Sequence, residues 1–208
     1  MDENDIADFV SWAKEAEERG PNPDFVTITC ERLVVAQLER CAEHLEGIDP
    51  DGYHLLDAIR SLHLAMVAAM TAALNGSAGI GAMPGKARSK AIQALNKGEF
   101  ATGERVMSYA ELLEAIQTEG AIEWGPAIVL TSDERADCVT LNARRERIDH
   151  PKPSSFIEAR DELRRLCRVV SAIVPRIAAS VSHHFEEADR ARVAGAVERI
   201  AAAATNEG

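Results

Sequence analysis

The stretch YHLLDAIRSLHLAMVAAMTAALN, residues 53–75, decides the fold class. Leu55, Leu56, Ile59, Leu62, Met66, Ala69, Met70, Ala73 and Leu74 recur at helical spacing, and the apolar content is too high for a helix with one face in water. The pattern predicts a long central helix that other helices must surround. Aromatic residues are only 4% of the 208-residue chain, whereas alanine and leucine abound, which favours packing of helix on helix over a β-sandwich.

Working outward, helices are expected on both sides. Residues 2–19 place Ile6, Phe9, Val10, Ala13 and Ala16 on one stripe that stops at Gly20. The segment DFVTITCERLVVAQLERCAEHLEG opens with β-branched residues, then shows Val34, Leu38, Cys41 and Leu45 on a helical face up to Gly47. After residue 75, NGSAGIGAMPG breaks the central helix, and a shorter one is expected over 86–97. Ser108 with Glu111 forms a capping box that opens a helix of about ten residues, ending before Gly120.

EWGPAIVLTSDE reads as loop, with at most a short extended piece at AIVL. Thr131 and Glu134 form a second capping box, starting a helix that runs to about Asp149, where Pro151 and Pro153 end it. Ser155 and Glu158 suggest a third box and a helix to about His184, kinked at Pro175; the C-terminal tail reads as a last, fraying helix. The expected architecture is all-α, an up-and-down helical bundle with extra terminal helices. It forms a single domain over residues 1–208 with its core at about 27–185.

Charge and leader signals constrain the setting. The N-terminus MDENDIADFV is acidic where a signal peptide would be basic, and no apolar run is expected to approach the roughly 20 residues needed to cross a bilayer. A cytoplasmic protein with no membrane partner is expected. Cys30, Cys41, Cys138 and Cys167 lie in apolar stretches without paired spacing and read as reduced core residues. The net charge of −11 argues against broad attraction to nucleic acid. Residues 144–168 are the local exception, with eight basic side chains against five acidic ones. Such mixed charge marks either an anion site or a self-paired surface.

Most motifs that suggest chemistry fail on inspection. A phosphate-binding loop needs a glycine where Ile80 stands and Ser or Thr where Ala87 stands, and the glycines follow a helix instead of a strand. Cys41 and His44 share a face, but two ligands do not make a metal site. His63, inside the apolar helix, reads as a hydrogen-bonded core histidine. No metal and no cofactor are expected.

LNARRERIDHPKP, residues 141–153, is different. Arg145 carries a permanent planar charge suited to phosphate, and histidine, the residue type at 150, can donate or accept a proton at cellular pH. In metal-free RNA cleavage the 2′-hydroxyl attacks the neighbouring phosphate, so the protein need only move protons and offset charge. Residues five apart on an unbroken helix point roughly 140° apart. His150 precedes proline, however, which disfavours helical backbone there and frees its side chain to turn toward Arg145. The same residues also suit an ordinary helix stop, with cations at the negative end of the macrodipole.

The segment resembles the R-x4-6-H signature of HEPN (higher eukaryote and prokaryote nucleotide-binding) domains. Leu141, Asn142, Arg145, His150, Lys152 and Pro153 match a prokaryotic HEPN-like group. Upstream, SLHLAMVAAMTAALNGSAGIGAMP, residues 61–84, is similar to that group's alanine-rich helix and Gly-Ile-Gly loop. The resemblance spans about residues 55–160. It implies an all-helical fold, frequently a homodimer, in which Arg145 holds a scissile phosphate and His150 transfers protons. Arg144, Arg147 and Lys152 flank the pair as RNA-contact candidates. It further implies a metal-independent endoribonuclease of toxin–antitoxin or phage-defence systems, with a cognate antitoxin as a partner. Other members have lost cleavage and serve as binding or interaction modules. Two positions depart from the group: Glu146 replaces a small polar residue and would repel phosphate unless Arg144 or Arg147 neutralised it, and Pro151 replaces an aromatic.

Overall fold

In a computed structural model, the described residues are 28–47, 51–76, 79–98, 106–150, 157–181 and 185–205. Among them are eight helices and no strand: α1 (Cys30–Glu46), α2 (Tyr53–Asn75), α3 (Gly85–Leu95), α4 (Tyr109–Ala115), α5 (Ser132–Asp149), α6 (Arg160–Ser171), α7 (Val174–Ser180) and α8 (Glu187–Thr205). The all-helical expectation is met. The helix expected over residues 2–19 lies outside the described residues.

The central helix has the bounds that its apolar pattern predicts, and fifteen of its 23 residues are buried. It packs against α1, α4, α5, α6 and α7, which is why a helix apolar on nearly every side is stable here. By length and composition alone, α2 could cross a membrane, a correction to the expectation that nothing in the chain comes close. Its most apolar window is 72% buried inside the fold, as a core helix requires.

Helix α8 covers α1, α6 and α7 from the other side. Two arginine forks fix its register on α1. Arg192 holds Glu39 through Nε and Nη2 at 2.9 and 2.8 Å, and Arg199 holds Glu46 at 2.8 and 2.6 Å. Both pairs are offset by the same 153 residues, so α1 and α8 run parallel. The same offset over two helical turns places both pairs on one seam.

Several helix ends follow local chemistry. Thr29 caps α1 by accepting from the Arg32 N–H, which resolves where that helix begins after its β-branched lead-in. Both capping boxes at Ser108 and Thr131 form in full. Helix α4, at seven residues, is shorter than expected, and a helical turn continues the chain toward Gly120. No third box opens α6: its N-cap is Ala159, without a side-chain bond, and Ser155 lies outside the described residues. The kinked rod expected around Pro175 is two helices instead. Helix α6 stops at Ser171, and Pro175 sits in the first turn of α7, where a missing N–H costs nothing.

The Gly-Ile-Gly loop closes the far end of α2. A Cβ on Gly81 would lie 1.5 Å from the Leu74 carbonyl oxygen, so only glycine lets the backbone pass this close. The Gly81 N–H donates to the Asn75 carbonyl, helping satisfy the last turn of α2. Met107 in turn donates from its backbone to Ala82, tying the loop to the start of α4.

Candidate functional site

Helix α5 positions the candidate residues. Only Cys138 and Leu141 of its eighteen residues are buried, so it lies against the core by a narrow seam. It is fastened to α2 by polar contacts. His63 Nε2 donates to Asn142 Oδ1 at 3.0 Å, and Arg60 Nε donates to Asp149 Oδ1 at 2.8 Å. Moving from 60 to 63 on α2 corresponds to moving from 149 back to 142 on α5, so the two helices run antiparallel.

The helix ends at Asp149, as the following proline requires. His150 is the C-cap, with φ −123° and ψ 68°, outside the helical region, and its N–H still donates to the Glu146 carbonyl at 3.0 Å. The side chains of Arg145 and His150 each approach Glu146. Arg145 Nη1 lies 2.7 Å from Glu146 Oε1, and His150 Nε2 lies 3.9 Å from the other oxygen of that carboxylate. The chain's own acid thus sits where a shared anion would be.

Arg145 is held from a second side. Its Nε meets Asp149 Oδ2 at 2.7 Å, while the other oxygen of Asp149 accepts from Arg60. Arg60 Nη1 in turn reaches Asp57 at 2.9 Å. The Arg60 hydrogen bond holds the Asp149 carboxyl below its ordinary range, with the charge of Arg145 adding to the effect. Two arginines face three carboxylates in this cluster, an excess of one negative charge when His150 is neutral. Exposure grades along it: the Arg145 side chain is 30% exposed, Glu146 50% and His150 75%.

Behind the cluster is His63, 6% exposed and stacked on Tyr109 with ring centroids 4.8 Å apart. Its Nε2 proton goes to Asn142, leaving Nδ1 as an acceptor with no partner among the described residues. Burial lowers its pKa first; the Asn142 bond opposes this, and the charge of Arg145 lowers it further. The neutral imidazole is thus a core group that sets the position of Asn142, one turn before Arg145. Burial also pushes the Cys138 thiol up to about 12, so it stays protonated and is no nucleophile. Cys41, Cys138 and Cys167 are buried and free, and Cys30 is half-buried and free.

The flanking cations behave as a self-paired surface. Arg144 Nη1 lies 2.6 Å and Arg147 Nη1 3.2 Å from the same oxygen of Glu158. Both are committed to Glu158, and it is Arg145 that pairs with Glu146. Arg165 forks onto Asp137, joining α6 to α5, and also binds Glu162. Lys152 lies outside the described residues. Among those residues, no group of three metal-ligating side chains is present.

Sequence reasoning missed Arg60, Asp57 and Asp149 as members of this cluster. Asn142, Arg145 and Asp149 do share one face of α5, at spacings of three and four, which was a legible signal. Arg60, by contrast, meets Asp149 across 89 residues of chain, and Asp57 joins the cluster through Arg60. Comparison with protein-family models, curated proteins and solved structures gives no match to this chain.

Proposed function

We propose that the chain is an HEPN-like, cytoplasmic, dimeric protein whose reaction is metal-independent RNA cleavage at Arg145 and His150. One observation carries this reading: at the end of α5 a fixed cation and an imidazole approach the two oxygens of the same carboxylate, Glu146. A phosphodiester placed there would meet Arg145 through Nη1 and His150 through Nε2. Arg145 would offset the charge that builds on the phosphorus-bound oxygens as the 2′-hydroxyl attacks. His150 would accept or return the proton.

Of the flanking cations, Arg147 is more than half exposed and is the better placed to meet an RNA strand. Arg144 is largely covered and committed to Glu158. Lys152 completes the set by its position in sequence. A toxin–antitoxin or phage-defence role, with a neutralising antitoxin, accompanies this reading.

A second reading has its own support. The excess negative charge of the cluster disfavours an RNA phosphate, which suits a non-catalytic HEPN-like dimer that serves binding or assembly. Labelled RNA incubated with the full chain in EDTA separates the two. Cleavage by the wild type, reduced about 100-fold or more in both Arg145→Ala and His150→Ala, supports the enzyme. Equal behaviour of all three, each still folded, supports the binding module.

A further inference from the structure

The two carboxylates on Arg145 differ in how firmly they are held. Asp149 is clamped between two arginines, one oxygen each, and its side chain is 25% exposed. Glu146 is half exposed; one oxygen takes Arg145 Nη1, and the other has only the loose 3.9 Å approach of His150. Exposed pairs of this kind are weak and exchange readily with solvent. If Glu146 swings away, Asp149 still holds the guanidinium by Nε, so Nη1 is left facing a vacated anion position beside the exposed His150 ring.

We propose that Glu146 is an internal competitor for that position, and thereby the residue that sets how tightly this site takes a phosphodiester. Asp149 orients Arg145, whereas Glu146 occupies its open side. With Glu146 released, Arg60 and Arg145 balance Asp57 and Asp149, and a singly charged phosphodiester no longer faces excess negative charge. With Glu146 in place, the same ligand must displace a like charge before it binds. This rests on the reading of the Arg145–His150 pair as a phosphate site, but not on cleavage.

The test uses a fluorescein-labelled, fully 2′-O-methylated oligonucleotide, which lacks the attacking hydroxyl and cannot be cut by this route. Its binding to the full chain is followed by anisotropy at low salt. Glu146→Gln should bind about fivefold more tightly than the wild type, the effect of removing one like charge about 4 Å away in water. Arg145→Ala combined with Glu146→Gln should lose that gain. Glu198→Gln, which makes the same change in net charge on the exposed face of α8, serves as the control.

Equal affinity of Glu146→Gln and wild type overturns the inference, whatever RNA cleavage shows. An equal gain in Glu198→Gln also overturns it, because net charge alone would then be responsible. A gain confined to Glu146→Gln, with no cleavage of ordinary RNA by any variant, upholds the competitor and removes the ribonuclease reading instead.

Discussion

Helices α2 and α5 lie against each other and are stabilised by opposite means. Helix α2 buries fifteen of 23 residues, twelve of them apolar, and its place follows from removing that surface from water. Helix α5 buries two of eighteen and is located by His63–Asn142, Arg60–Asp149 and the Arg165 fork onto Asp137. The apolar helix is fixed by many interchangeable contacts, the polar one by a few directional ones. That is why α5 can carry charged groups at its end without dismantling the core. Polar fastening leaves a face free for chemistry at the expense of less stabilisation per residue.

Three substitutions would break or sharpen this contrast. The largest effect belongs to Leu62→Ala on α2. A fully buried leucine leaves a cavity there, and a loss of roughly 2–5 kcal/mol in denaturant unfolding is expected. A loss under about 1 kcal/mol would mean that α2 is not the packed centre.

Asn142→Leu should cost about 1–3 kcal/mol, because it leaves the buried His63 ring with neither nitrogen paired. A neutral outcome in the same assay would show that apolar packing, not this bond, locates α5.

The smallest effect is expected for Arg60→Met. Its pairs are partly exposed, so about 1 kcal/mol or less is at stake near neutral pH. The pH dependence is more informative than the size. Because Arg60 depresses the Asp149 pKa in the folded state, the stability from this carboxylate is present above the unfolded value, near 3.9. It is lost as pH falls through the lower folded value. Thermal unfolding profiles of wild type and Arg60→Met should therefore converge below about pH 4; parallel profiles down to pH 2 would show that the pair contributes nothing.

His63 and the helix ends show how far local pattern reaches. The start of α5 was legible because a Thr and a Glu three residues apart satisfy each other's backbone within one turn. The burial of His63 was legible because apolar residues surround it on α2. Its partner was not, since Asn142 is 79 residues away. The helix expected to open at Ser155 begins later than that pattern suggests. Glu158 has longer-range partners in Arg144 and Arg147, while α6 starts at Arg160 with Ala159 as its cap.

At the candidate site the division is equally physical. The proline after His150 is a nearest-neighbour restraint on backbone angles, so the helix break could be read from residues 145–153 alone. The pairing of Asp149 with Arg60 could not, because ion pairing between helices depends on distance in space and on competing partners.

By itself, the sequence determined an all-helical chain, the bounds of its central helix and the point where His150 leaves the helical path. Each of these is set by propensities and periodicities within a few residues. Only the tertiary structure decided that Arg60 shares Asp149 with Arg145 and that His63 pairs with Asn142. Electrostatic attraction falls with separation, and folding alone sets that separation for groups on different helices.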